Sequence, residues 1–583
     1  MSDIIENNFW YKARYTPLRD ALRGKLTARL DLHRQLDDST LPLPVKEKLL
    51  RIVNATKLWR LERVEVLTEL VSHFTDGMSS GTTVDELLAR FGDEARAAKL
   101  IRRAKRRNRP MAWHALRFAS WTIFAFIAFY GSYAIYFFSG RPSPHINYVA
   151  TVNRPVLTAP VADRAWPLYR RALLGMDNES RQSLRWKVDA PANSSERAEI
   201  LNLIRKHQSE VDWIRQGASK PILGWLIGAN GSVNDRELWP HNLPAPPEPE
   251  SGEPLYNAAL PPLTGLRELA AMLQADAALA RKRGDGKRVL EDIGRTLDLS
   301  RQVADMDSSN ASLLMSLVSI SIAGMAMNQV EQTLQEQPTL IRTEDWTLLS
   351  RRLSAPKVAA DLFTLEGERL WFEDLLQRTF TDDGTGNGRL TTEGASQIYG
   401  PWPEVRRTWF DRAIQPSLGL LEPSRRVLQE EHAQALNQAE ANLKQPLRNV
   451  ELKPLPHRSF LIKQITPSYS SSQAGAERFL GRRDGVVAAI AVELYRRENG
   501  KYPESLDALV PKFLSEVPAD RVTGTPVRYR ISGGHIIIYS VGVDRKDDGG
   551  VDSVPSKAAA ISENDSKELP VGDWILYPAL QNQ

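Results

Sequence analysis

The sequence predicts a mainly α-helical protein that ends in an α+β module and carries one membrane-crossing helix. Three observations predict it. Residues 118–138 read FASWTIFAFIAFYGSYAIYFF, with no charged residue. Much of the remainder places apolar residues at helical spacing, in segments separated by Gly, Pro and Asp breaks. Near the C-terminal end two β-rich runs, VRYRI and HIIIYSV, meet at Gly533–Gly534, the pattern of a hairpin. The expected plan is a cytoplasmic helical domain over 1–110, a transmembrane helix within 111–140, an exported all-α domain over 141–460, and an α+β module over 461–583, where a helix packs on a small antiparallel sheet.

Each element follows from local chemistry. A chain of 583 residues needs more than one core, and 42% hydrophobic with 25% charged residues is ordinary globular composition. The formal net charge of +5 is too small to imply a general nucleic-acid surface, and no nucleic-acid partner is expected. Cysteine is absent, which excludes disulfides, thiolate nucleophiles and cysteine metal centres.

In the N-terminal part, Leu58, Leu61, Val64, Leu67 and Leu70 recur every third residue and are expected to form one apolar stripe. A break is expected over Asp76–Gly81. Thr83 with Glu86 then reads as a capping box, with Leu87, Leu88 and Phe91 as the buried face behind it.

The apolar run 118–138 is long enough to cross a hydrocarbon core of about 30 Å, which takes about 20 helical residues. Aromatics flank it at Trp113, Trp121, Tyr133 and Tyr136, and Pro142 is expected to stop the helix. It begins too deep in the chain for a signal peptide. Arg102, Arg103, Lys105, Arg106, Arg107 and Arg109 precede it, whereas Arg141 stands alone after it before Arg154. Positive charge stays inside, so the N-terminal part is expected in the cytoplasm and the bulk outside. Beside a membrane, that basic flank is expected to meet anionic lipid. A second apolar run at 311–327 carries four serines and continues into NQVEQTLQEQ. It reads as a buried helix rather than a second span.

Beyond the membrane, helices are expected near 162–175 and 195–218, followed by a linker at 243–254 (LPAPPEPESGEP). Two amphipathic helices then flank a Gly284–Asp285 turn, a geometry that resembles one unit of a tetratricopeptide array, although no fixed period recurs. Residues 484–498 form an amphipathic helix with Val487, Ile490, Ala491 and Leu494 on its apolar face, closed by Asn499–Gly500.

Two stretches resemble known families. The pattern LERVEVLTELVSHFTDGMSSGTTVDELLARFGDEARAAKLIRR, with Glu65, Glu69 and His73 on one helix, then Gly81, Glu86 and the Phe91–Gly92–Asp93 corner, is similar to the helical cytoplasmic module preceding membrane spans in bacterial regulatory and permease-associated proteins. That likeness implies interaction or regulation. The C-terminal elements ELYRRENGKYPESLDALV, DRVTGTPVRY and YSVGVDRKDDGG resemble the periplasmic part of major pseudopilins of type II secretion. This resemblance implies a long helix on a small antiparallel sheet, and a calcium loop at positions Asp544, Asp547, Asp548, Asp552 and Asp573. The chain departs from that family in placing its membrane helix far upstream and in an insertion at 554–570, which favours a grafted interaction module over a pilus subunit.

A second calcium candidate follows from spacing. Counting from Asp383, oxygen-bearing Asp383, Thr385 and Asn387 alternate, Gly388 takes the sixth place and Leu390 the eighth, but Glu393 falls one short of the terminal acidic position. No zinc-protease, phosphate-loop or hydrolase-elbow motif is present, and the histidines (His145, His207, His241, His432 and His535 among them) show no ligand spacing. The expected role is therefore non-enzymatic: assembly, scaffolding or a secretion-associated task in the envelope, from an anchor in the bacterial cytoplasmic membrane, with envelope or cytoplasmic proteins as partners. A transmembrane signal transducer and an envelope hydrolase with an unrecognised site are the alternatives.

Overall fold

A computed structural model describes residues 9–21, 23–191, 193–227, 254–255, 262–305, 312–362, 364–399, 409–450, 459–542, 545–551 and 572–578. Two compact units result, Met1–Ser132 and Tyr133–Gln583.

The first unit is helical: α1 (Phe9–Tyr15), α2 (Leu18–Ala21), α3 (Leu32–Asp37), α4 (Leu43–Ala55), α5 (Arg60–Ser79), α6 (Val84–Phe91) and α7 (Glu94–Arg107), followed by α8 (Met111–Phe138), which runs on into the second unit. Its core is Val45, Leu49, Val53, Leu58, Val66, Leu67 and Phe74, with Leu87, Leu88 and Phe91 packed against it. The expected Leu58–Leu70 stripe is corrected here. A step of three residues turns a helix only about 300°, so the row drifts off the core face. Leu61 accordingly lies 53% exposed while Val66 and Phe74 are buried. The break also falls later than expected, because α5 continues through Asp76 to Ser79 and chain reversal waits for Gly81 at φ +86°. Thr83 does cap α6, accepting from the Glu86 N–H.

Among the described residues two helices are long and apolar enough to cross a membrane, Trp113–Phe138 and Leu313–Glu336. Burial separates them. Only 6% of the most apolar window of the first is buried, against 56% of the second, which sits in the core of its unit. The first helix ends at Phe138, before Pro142.

The second unit continues with α9 (Tyr148–Thr158), α10 (Trp166–Leu174), α11 (Asn178–Lys187), α12 (Ser195–Lys206), α13 (Gln208–Ala218), α14 (Pro262–Arg283), α15 (Gly286–Asp305), α16 (Leu313–Glu336), α17 (Thr343–Leu353), α18 (Glu366–Thr379), α19 (Thr392–Ile398), α20 (Trp409–Leu421), α21 (Arg425–Leu443) and α22 (Phe460–Asn499). The expected helix at 195–218 is two helices, broken at His207. Apart from Pro254, the linker at 243–254 lies outside the described residues. The α14–α15 hairpin forms as expected, reversing through Gly284 at φ +76°.

The C-terminal helix is much longer than the 484–498 segment. α22 runs for 40 residues and stops at Gly500, whose φ of +74° is the left-handed stop expected of Asn499–Gly500. Its middle is buried all round, since Val486, Ala488, Ala489 and Val492 are as inaccessible as the expected face. One side meets α16, α17 and α21, and the other meets a three-stranded antiparallel sheet, β1 (Arg528–Ser532), β2 (His535–Ser540) and β3 (Trp574–Tyr577), in the order β1-β2-β3. Gly533 and Gly534, both at positive φ, turn β1 into β2 with Ser532 opposite His535. β3 crosses α22 at Gly485, where an added Cβ would lie 2.5 Å from Leu576 Cβ and 2.9 Å from its backbone. Sheet, α22 and helices α14–α17 share one continuous apolar cluster that includes Ile293, Trp346, Ile490, Ile538 and Leu576.

Candidate functional site

The expected ligand loop lies where the end of β2 meets the start of β3, Ser540 opposite Trp574. Gly542 approaches so closely that an added Cβ would clash with the Gly572 carbonyl, which brings the loop after β2 against Asp573. The Asp547 carboxylate accepts from Tyr539 Oη at 3.1 Å and from the Gly549 N–H at 3.0 Å, and lies 3.4 Å from Arg528 Nε. Asp573 is 1% exposed; its Oδ2 accepts the Gly550 N–H at 2.6 Å. Its Oδ1 is buried and finds no hydrogen-bond partner among the described residues. Burial raises the Asp573 pKa, the Gly550 and Asp548 backbone N–H groups pull it down, and the Asp547 and Asp548 charges push it up. Asp548 itself is exposed. Asp544 and Asp552 lie outside the described residues. A buried carboxylate oxygen without a donor among the described residues, in the field of the Asp547 and Asp548 charges, is the kind of atom that a hard, oxygen-preferring cation such as calcium takes, six to eight oxygens in all. Among the described residues, however, no group of three or more acidic or histidine side chains is placed to hold a metal.

The second candidate loop is strapped between Phe380 and Leu390, which form an isolated antiparallel bridge. It does bring Asp383, Thr385 and Asn387 together, but as partners of one another. Asp383 Oδ1 accepts from Thr385 N, Thr385 Oγ1 and Asn387 N. Arg426 donates to the carbonyl and hydroxyl of Thr385 at 3.1 Å each, and its N–H donates to Asn387 Oδ1. Asp382, not singled out by spacing, accepts from Gly384 N, Gly386 N and Arg425. These hydrogen bonds hold the Asp383 and Asp382 pKa values below the usual carboxylate range. Guanidinium groups and backbone amides here take the oxygens that an inward-facing cation would need.

In the first unit, Glu65, Glu69, His73 and Asp76 line an open concavity along α5. Lys105 spans Glu65 at 3.2 Å and Glu69 at 2.9 Å. Arg109 forks onto Glu62 at 2.7 and 2.8 Å and stacks over Trp113 at 4.1 Å. Two members of the basic flank are thus held by carboxylates of α5.

Charge in the core of the second unit escaped sequence reading. Arg215 on α13 joins Asp276 on α14 to Asp292 on α15, and Arg288 reaches Asp276 at 3.0 Å. The Asp292 pKa is raised well above normal, first by burial and then by Asp276, against the pull of Arg215. His432 stacks on Phe372 at 3.7 Å, and its Nε2 lies 3.0 Å from Tyr469 Oη. Burial and Arg369 lower its pKa to about 3, so it is a neutral core residue at physiological pH.

No protein-family model, curated protein or solved structure matches the chain.

Proposed function

We propose that this chain is a non-enzymatic, membrane-anchored protein of the bacterial envelope, acting in assembly or scaffolding. It would cross the cytoplasmic membrane once through α8, with the first unit inside and the bulk of the second outside. The observation that carries the reading is the contrast between the two apolar helices: α8 presents Trp121, Phe124, Ile127 and Phe129 with more than half of their surface exposed, while α16 is packed in a core. Apolar surface of that extent has lipid as its natural solvent. The Arg- and Lys-rich segment before α8 favours retention of that end inside. The C-terminal end is a 40-residue helix packed on a three-stranded antiparallel sheet, and a module of that kind, read with the pseudopilin-like sequence, supports a role in contacts with other envelope proteins. Calcium at Asp547, Asp548 and Asp573 belongs to this proposal, as does contact of Arg102, Arg103, Arg106 and Arg107 with anionic lipid.

Paired reporters active only inside or only outside, fused after residues 100, 150, 305 and 345, test the topology. The reading expects a single reversal, between 100 and 150. A reversal between 305 and 345 would make α16 a span and would sink the proposal.

Signal transduction is the second reading, favoured by one observation. Glu65 and Glu69 on the open face of α5 hold Lys105, just before the start of α8. A partner that binds this face competes for Lys105 and so acts on the segment leading into the membrane. Deletion of 1–100 abolishes signalling but spares scaffolding outside.

A further inference from the structure

α20 packs against the outer end of α8, and what it leaves exposed is apolar. Gly419 makes the contact: an added Cβ would lie 2.8 Å from two atoms of the Phe137 ring and from Tyr133 Oη. Leu418 joins the same cluster, in which Phe137 is fully buried among Phe380, Leu390 and Leu428. Gln415, one turn before Gly419 on the same inward side, donates to Thr392 O and Ser396 Oγ, both at 3.3 Å. Ala413, Ile414, Ser417, Leu420 and Leu421 recur at three- and four-residue spacing and share one helix face. On it Leu421 is 73% exposed, Leu420 52% and Ile414 39%.

The level of that face relative to α8 identifies its occupant. α8 has 28 residues, a rise of about 42 Å, of which the uncharged run 118–138 supplies the roughly 30 Å of a hydrocarbon core, so its end at Phe138 comes up at the outer headgroup boundary. Tyr133 and Phe137, which α20 touches, lie in the last two turns, at and just below that boundary. There α8 also exposes Ile135, Tyr136 and Phe138, so apolar surface continues from one helix to the neighbourhood of the other. Arg389 marks the polar boundary. It donates to the Tyr136 carbonyl at 2.8 Å and to Ser139 Oγ at 3.2 Å, and stacks on the Tyr136 ring at 3.5 Å. A cation on the last carbonyls satisfies the C-terminus of the helix and its dipole.

We infer that α20 is an interfacial helix, lying in the outer leaflet with Ile414, Leu420 and Leu421 among the acyl-chain ends nearest the headgroups. It would pin the second unit to the bilayer in a fixed orientation, where a single span alone leaves it free to swivel. Helices of this kind sink about 5–10 Å into the headgroup–acyl boundary. The inference rests on the membrane-spanning reading of α8.

Because the chain has no cysteine, single thiols can be introduced without background. Leu420→Cys, Leu421→Cys, Ile127→Cys and Leu348→Cys, each exposed, are labelled with an environment-sensitive fluorophore in the full chain. The protein is reconstituted in phosphatidylcholine–phosphatidylglycerol vesicles carrying spin-labelled lipid, the spin near the headgroup or deep in the acyl chain. Expected is several-fold stronger quenching of labels at 420 and 421 by the shallow spin than of the label at 348, with label 127 quenched most by the deep spin. Labels at 420 and 421 quenched no more than label 348, with label 127 quenched, overturn the inference while leaving the span intact. Protection of 420 and 421 from a water-soluble thiol reagent without lipid quenching overturns it in favour of a protein partner. Loss of quenching at 127 removes the spanning reading, and the inference with it.

Discussion

Removing the guanidinium that joins helices α13, α14 and α15 tests how the core of the second unit is held. Arg215 is 5% exposed and the two carboxylates it reaches, Asp276 and Asp292, are 2% and 0% exposed. Arg215→Met keeps the apolar stem and deletes the charge, leaving buried Asp292 without its cation and facing Asp276, which keeps Arg288. Breaking a buried ion pair from one side costs about 3–5 kcal/mol, because the charge left behind, here on Asp292, has lost its partner and has no water. The loss depends on pH. Asp292 already titrates above the normal carboxylate value in the folded state, so folding binds a proton more tightly than the unfolded chain does. Stability therefore falls as pH rises from the unfolded value of about 4 through the folded one. Without Arg215 that folded value climbs further and the window widens upward. Melting of the detergent-solubilised full chain at pH 5 and pH 8 is the assay. Arg215→Met lowers the melting temperature more at pH 8 than at pH 5, and adding Asp292→Asn to it restores part of the loss. Equal losses at both pH values, or additive losses in the double variant, would refute the account.

Other expectations follow from single contacts. Gly485→Ala places a methyl against the Leu576 backbone, which cannot yield, and loosens β3 from α22 by about 1–3 kcal/mol despite better helix propensity; hydrogen exchange in Trp574–Tyr577 unchanged from wild type would contradict this. Glu62→Gln removes the fork to Arg109 at a cost of about 1.5–3 kcal/mol. Arg109 lowers the Glu62 pKa, so the wild-type contribution is present above the ordinary glutamate value and is lost as pH falls through the depressed one; thermal melts of the two proteins that stay separated at low acid pH would contradict it. Calcium raises the melting temperature of the full chain, and Asp573→Asn abolishes the shift; no shift at millimolar calcium removes the cation from the proposal.

What could be read from the sequence is what local chemistry decides. The uncharged run 118–138, the Gly533–Gly534 hairpin, the Thr83 cap and the Gly500 stop each depend on a few neighbouring residues, and each forms where expected. The N-terminal half of α22 was not legible, since Pro467 and the Ser470–Ser472 run resemble a loop. Tertiary contacts decide it instead, among them Tyr469 with His432 and Gln473 with the Asn442 carbonyl. β3 was illegible for a related reason. Its pairing of Ile538 with Tyr577 closes a loop across the long insertion, and only Gly485 far upstream leaves room for it.

The two acidic loops make the same point about sites. Spacing named Asp383, Thr385 and Asn387, and the fold does assemble them, yet the decisive neighbours are Arg425 and Arg426 at the start of α21, which spacing cannot see. At the other loop the decisive feature is that Asp573 Oδ1, just before β3, is buried without a donor among the described residues. A buried carboxylate oxygen with no hydrogen-bond donor costs about 1–3 kcal/mol or more, and either a proton or a cation removes that cost. Calcium and acid should therefore compete at Asp573. The calcium-induced rise in melting temperature should shrink as pH falls through the raised Asp573 value, and a rise that persists unchanged in acid would place the ion elsewhere.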